Sequence, residues 1–338
     1  MKRFLRYFSL LLLTLVLLSA GLVARGADFP AAAGPTFDTQ VDMTHRDGIE
    51  ASQPRIVLLG DSMVEENVDL ATLSDALGTD VYRISYPGSS SALWYLSLKN
   101  NIVNAATPPQ TVVIIFRDSV LTTPEYRVGG KFNDAIDNLA GADEQTLLQL
   151  AFLNSMNPLE KASRRFLPAY RFGYQARDGV EFASRLFLPR FVIHCNRRCA
   201  DAAFLNVFSF RTIAPPAAND PVAQEEAVLY SGRALDFSAR VGRSFLPEII
   251  RLCREHDIRL ILVRGKTISF ADLPEPRGLD DYILDLQDYL TENGASFADL
   301  QPDARLETGD YIDRFHVQPE ARGTYTQMLA EALIPLLP

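Results

Sequence analysis

The chain has 338 residues, 47% hydrophobic and 22% charged, enough to bury a substantial core in one large domain or in one domain with a sizeable insertion. Its formal net charge of −9, with no long basic run after the first few residues, argues against nucleic acid as a partner, because phosphate binding needs concentrated Lys and Arg. At the start, Lys2, Arg3 and Arg6 precede an uncharged, mostly apolar run of 17 residues, Tyr7 to Val23. Over residues 1–26 this is the pattern of a signal anchor or a signal peptide with its basic end kept in the cytoplasm. The run is long for a signal core and short for a span, so both readings stand. Either way the residues from about 27 onward are expected outside the cytoplasm, in the periplasm if the cell is Gram-negative.

Residues 27–54, with Pro30, Gly34, Pro35 and Pro54 and little periodicity, read as a linker. Ile56 to Leu59 is a strand that runs into Gly60-Asp61-Ser62, and a helix is expected from about Val64 to Leu77. A second strand, Asp80 to Ile84, passes through a turn at Tyr86 to Ser91 into a helix from about Ala92 to Asn104. Pro108 and Pro109 break the chain before a third, nearly all-apolar strand, Thr111 to Phe116. After Arg117-Asp118 this rhythm lapses. Residues from about 120 to 237 form a long, mostly helical insertion, rich in aromatic residues and arginine at Arg164 to Phe172 and Phe187 to Phe191. That stretch reads either as a helical cap on the sheet or as a surface resting on a membrane or a membrane partner.

Alternation resumes with a helix at about 238–256, a strand from Ile258 to Val263, a helix near 279–293, a short strand from Ala295 to Asp299 and a last amphipathic helix carrying Tyr325, Met328, Leu329 and Leu333. Apolar strands separated by helices indicate a doubly wound parallel α/β sheet. Of the three cysteines, Cys253 falls on an apolar helix face and reads as packed core. Cys195 and Cys199, with His194, leave three readings open: a small disulfide loop, free thiols, or part of a metal site that lacks a fourth soft ligand.

Asp61-Ser62 at a strand-to-helix junction has an ordinary reading, a serine capping the helix. It has a chemical one too, since the carboxyl edge of a parallel strand beside the amides of a helix start favours developing negative charge. Asp313, three residues before His316 in the loop preceding the last helix, supports the second. A serine hydroxyl becomes a nucleophile when an imidazole takes its proton, and the imidazole needs a carboxylate to fix its tautomer. His45, His194 and His256 lack such a partner. The backbone N–H groups of Ser62 and Gly88 are the expected oxyanion donors.

Gly60-Asp61-Ser62 after the first strand, Gly88 after the second and Asp313-x-x-His316 before the last helix resemble the sequence blocks of the SGNH, or GDSL, hydrolase superfamily. The resemblance covers roughly 55–118 and 240–336. It implies a flavodoxin-like three-layer α/β/α fold with Ser62 as nucleophile, His316 as base, Asp313 as its partner, Gly88 as an oxyanion donor and no cofactor. The family's third block supplies an asparagine where this chain reads Phe116-Arg117-Asp118-Ser119. Arg117 is then a substitute oxyanion donor or, with Asp118, a contact for an anionic or sugar substrate; the plain alternative is a surface ion pair. Gly323 also comes later after His316 than the family's glycine.

An N-terminal anchor joined to an extracytoplasmic domain of this kind resembles envelope proteins that work beside membrane-bound O-acyltransferases. Two functions follow. In the first, an acyl group, most simply acetyl, forms an ester with Ser62 and passes to a glycan hydroxyl or to water. In the second, a catalytically weak domain binds glycan or scaffolds an acylation complex.

Overall fold

The structure, a computed structural model, describes residues 2–24, 40–129, 132–142, 144–154, 227–268 and 276–338. The chain divides into two units, one of residues 1–34 with 156–224 and one of residues 35–155 with 225–338. In the first unit the described part is one helix, α1 (Lys2–Ala24), whose side chains Phe4, Leu11 and Leu17 are more than half exposed. Among the described residues no helix is long and apolar enough to cross a membrane. The segments Arg164 to Phe172 and Phe187 to Phe191, and His194, Cys195 and Cys199, lie outside the described residues.

The second unit is built on five parallel strands: β1 (Ile56–Gly60), β2 (Val81–Ser85), β3 (Thr111–Phe116), β4 (Arg259–Arg264) and β5 (Ser296–Asp299), in the order β2-β1-β3-β4-β5. The strand interiors are apolar because both faces of the sheet are covered. Val57, Leu59, Val112, Ile114, Leu260 and Leu262 feed one core, and Ile56, Leu58, Val113, Ile115, Ile261 and Val263 feed the other. The result is the three-layer α/β/α sandwich expected from the sequence. Because every strand points the same way, the loops after β1, β2, β3 and β4 gather on one edge.

Helix boundaries depart from the expectation in three places, each for a local reason. The single helix expected over Val64 to Leu77 is two, α3 (Ser62–Glu66) and α4 (Leu70–Leu77). Asn67 closes the first, and Asp69 caps the second by accepting the Thr72 N–H at 2.8 Å while its own N–H donates to Thr326 Oγ1 at 2.9 Å. The linker expected over 27–54 is folded in part: α2 (Thr44–Ser52) buries Ile49 completely, and its Arg46 N–H donates to Asn101 Oδ1 at 3.0 Å. The helix expected over 238–256 is also divided, and Pro247 lies in the first turn of the second piece, Leu246–Glu255, where its missing N–H is no loss.

Other elements fall close to expectation. The helix after β2, α5 (Ser91–Ser97), runs on as a π-helical turn over Leu98–Ile102. The helix expected near 279–293 is Leu279–Glu292, and the last is Arg322–Leu333. Parts of the expected insertion pack directly against the sheet: Val120, Leu121, Tyr126, Phe132, Ile136, Leu229 and Phe237 all belong to one core. Cys253 is buried there, and His256 is the exposed C-cap of its helix.

Candidate active site

β1 ends at Gly60, where a side chain would not fit: a Cβ there would meet Val64 Cγ2 at 2.4 Å and the Ile115 carbonyl oxygen at 3.0 Å. The close approach lets the chain turn at once from β1 into α3. Asp61, in extended conformation, is the cap of that helix, its Oδ1 accepting the Met63 N–H at 2.9 Å. The capping role that the sequence offered to Ser62 is therefore filled by Asp61. Ser62 becomes the first helical residue, and its hydroxyl is available to other partners.

The hydroxyl meets the far end of the chain. Ser62 Oγ stands 2.8 Å from His316 Nε2, and His316 Nδ1 stands 2.7 Å from Asp313 Oδ2. A carboxylate can only accept, so Nδ1 carries the ring proton and Nε2 is left to accept from the Ser62 hydroxyl. Asp313 Oδ1 also accepts the N–H groups of Phe315 at 2.8 Å and His316 at 2.9 Å, which fixes the carboxylate in the turn that presents the ring. Burial works against the charged form of Asp313. Hydrogen bonds from the His316 ring and from the Phe315 and His316 N–H groups outweigh it and hold the carboxyl below its ordinary range.

The loop around His316 is a small hairpin. Tyr311 bridges Val317 in antiparallel fashion, the Ile312 N–H donates to the His316 carbonyl at 2.8 Å, and the Ile268 N–H, past the end of β4, donates to the Arg314 carbonyl at 3.0 Å. A residue without signal in the sequence reading joins this hairpin to α3. Asn67 Nδ2 donates to the Phe315 carbonyl at 2.7 Å, and Asn67 Oδ1 accepts the Val317 N–H at 3.0 Å. A weak helix former followed two residues later by a capping Asp is the only hint of it in the sequence.

Gly88 lies on the loop after β2 with φ +70°, a conformation that glycine adopts without strain. Its carbonyl accepts Arg127 Nη1 at 3.1 Å. The next residue, Ser89, is buried and ties this loop to the nucleophile turn: its hydroxyl donates to the Gly60 carbonyl at 3.2 Å and accepts the Trp94 indole N–H at 2.8 Å. Both contacts escaped the sequence reading, since buried serines and a lone tryptophan read equally well as core.

Arg117 and Asp118 pair as expected, Nη1 to Oδ2 at 3.2 Å, but not on the surface: each is only 3% exposed. Asp118 takes φ +49° and accepts the Tyr230 hydroxyl at 2.6 Å, which removes it from solvent. The Arg117 guanidinium lies 4.1 Å above the Phe315 ring, beside His316, a cation–π contact. Arg117, read from the sequence as a candidate oxyanion donor or substrate contact, thus packs on the His316 hairpin. Among the described residues no group of three His, Cys, Asp or Glu side chains stands close enough to hold a metal ion.

No family model matches the chain, and no curated protein does. Solved structures similar in course include one named for an acylhydrolase of Bacteroides fragilis, at 12% identity and TM-score 0.39, covering 94% of this chain and 96% of that one. A GDSL-like lipase of Bacteroides thetaiotaomicron shares 13% identity at TM-score 0.34, covering 88% of this chain and 93% of its own. A variant of an acetyl-xylooligosaccharide esterase from a Geobacillus shares 11% at TM-score 0.38, covering 84% and 94%. The reading of the site rests on its own side-chain geometry.

Proposed function

We propose that the protein is a serine-dependent ester hydrolase or O-acyltransferase of the SGNH type, acting on acyl esters of an extracytoplasmic glycan. One observation carries the reading: Ser62 Oγ, His316 and Asp313 form a continuous line of hydrogen bonds at 2.8 and 2.7 Å. In the first half of the reaction His316 Nε2 takes the Ser62 proton as Oγ bonds to the ester carbonyl carbon. The tetrahedral oxyanion takes its hydrogen bonds from the backbone N–H groups of Ser62 and Gly88. Collapse breaks the bond to the leaving alkoxide, which receives the proton from His316 and departs as an alcohol. Asp313 stays ionised throughout and supports the imidazolium. In the second half a glycan hydroxyl or a water gives its proton to His316 as its oxygen bonds to the acyl carbon; the acyl–Oγ bond then breaks, His316 returns the proton to Ser62 Oγ, and the new ester or the free acid leaves.

Absence of an asparagine after β3 favours slow hydrolysis, since one lost oxyanion donor costs roughly 10²–10³ in rate. The same feature favours a second reading, a catalytically weak domain that binds glycan in an acylation complex. The basic start and the uncharged run from Tyr7 to Val23 support an inner-membrane anchor, or a cleaved signal, that places the domain in the periplasm beside a membrane-bound O-acyltransferase.

A fluorophosphonate probe applied to the wild type and to Ser62→Ala tests the enzyme reading. Labelling that vanishes with the hydroxyl is expected; a wild type that resists the probe while still binding acetylated glycan favours the second reading. Acyl release measured with and without a sugar acceptor separates the two activities, and hydrolysis unchanged by acceptor overturns transfer. Protease protection of the domain in intact cells tests its placement, and co-purification with a multispanning acyltransferase tests the partner.

A further inference from the structure

We propose that Asn67 is a positioning residue which sets the imidazole of His316 against the hydroxyl of Ser62, through the helix that carries the serine. The proposal rests on the reading of Ser62 and His316 as nucleophile and base. Ser62 is the first residue of α3 and Asn67 is the residue that closes it, so both sit on one rigid piece of a turn and a half. From the far end of that piece the Asn67 amide reaches both sides of His316. It holds the peptide groups immediately before and after the histidine, which leaves the ring itself free to turn toward Ser62.

Asn67 is completely buried, so neither of these bonds is traded for water, and losing either leaves a buried polar group without its partner. Several other hydrogen bonds of the hairpin run within it, as from Asp313, or to the loop after β4, and Arg117 packs on the Phe315 ring. These give the turn its shape but do not fix its distance from Ser62. Arg322 adds a tie of a different kind, its guanidinium donating to the carbonyls of Glu65 and Glu66 at the end of α3. That contact anchors the helix to the start of the last helix, six residues past His316, and leaves the setting of the ring to the amide.

Two substitutions separate positioning from plain packing. Asn67→Ala removes both bonds. Asn67→Asp keeps the shape and the acceptor for the Val317 N–H, but as a carboxylate it cannot donate to the Phe315 carbonyl. Protonated, it can. The full-length protein in detergent is assayed with p-nitrophenyl acetate, with rates normalised to the folded fraction from melting curves. A displacement on the scale of an ångström costs about 10²-fold in rate, so Asn67→Ala is expected to lose kcat by about that factor with KM little changed. Asn67→Asp is expected to recover toward wild type as pH is lowered, because burial raises a carboxyl's pKa and its acid form restores the donor.

Folded Asn67→Ala with kcat within about threefold of wild type, well short of that factor, overturns the proposal. Where the alanine variant does not fold, Asn67→Asp decides: a ratio of its kcat to wild type that stays flat with pH overturns it equally. Ser62→Ala in the same assay keeps the two readings apart, for if it retains full activity the nucleophile assignment has failed instead.

Discussion

Replacing Asp313 by asparagine changes one atom of the site and tests its central step. In the wild type Asp313 Oδ2 accepts from His316 Nδ1 at 2.7 Å while Oδ1 accepts two backbone N–H groups at 2.8 and 2.9 Å. An asparagine keeps the two backbone bonds through its carbonyl oxygen, so the hairpin stays formed. Its NH₂ then faces Nδ1 and can only donate. The ring must shift its proton to Nε2, the nitrogen that faces the Ser62 hydroxyl, and the base is lost although every heavy atom stays in place. The loss of a correctly held tautomer costs up to about 10⁴-fold in kcat, or roughly 5 kcal/mol of transition-state stabilisation. The Asp313 side chain is half exposed, so solvent screening places the expected loss nearer 10³. Initial rates of p-nitrophenyl acetate hydrolysis and the rate of fluorophosphonate labelling are both expected to fall while the melting curve barely moves. An Asp313→Asn variant with rates within tenfold of wild type, far from that expectation, would refute the argument.

The remaining expectations concern pH, packing and charge. Because the Asp313 carboxyl is held below its ordinary range, its contribution to stability is complete above the unfolded pKa of about 3.9 and lost as pH falls through the lower, folded value; acid unfolding curves of wild type and Asp313→Asn are expected to converge there. Gly60→Ala drives a methyl into Val64 Cγ2 and the Ile115 carbonyl and is expected to cost about 1–3 kcal/mol in denaturant unfolding. Val64→Ala in the same chain removes the first clash, so a double variant no better than additive counts against that contact. Arg117→Ala leaves Asp118 as a buried charge without its ion-pair partner and is expected to lower stability by about 3–5 kcal/mol, whereas Arg117→Met with Asp118→Asn costs much less. An exposed-type loss under 1 kcal/mol, the range of surface pairs, would restore the surface reading. The Cys253 thiol, buried and pushed up to about 12, is expected to resist iodoacetamide at pH 8 in the folded protein and to react in urea, with peptide mass spectrometry separating it from Cys195 and Cys199.

What the sequence made legible were the features written in short local patterns. β1, β3 and β4 are apolar runs of strand length, and Gly60-Asp61-Ser62 and Asp313-x-x-His316 are compact enough to stand out against any background. What it concealed was set by partners far along the chain. The break between α3 and α4 falls at Asn67, whose amide is engaged by residues 315 and 317, and no window around residue 67 contains that fact. Arg117-Asp118 left a solvated pair open beside a role in the site; Tyr230 and Phe315, which bury it, are 112 and 198 positions away from the residues they touch. α2 was missed for the opposite reason: within it Ile49 alone is buried, too little for an amphipathic pattern to register.

The hydrogen bond between Ser62 and His316 closes a loop of 254 residues. A chain made from its amino end carries the serine early and the imidazole late, with four more strands and both cores to be assembled in between. Until the hairpin docks on α3, residue 62 is an ordinary alcohol on a short helix. On the proposed mechanism the unfinished chain therefore lacks its base, and attack on an ester waits until folding is complete.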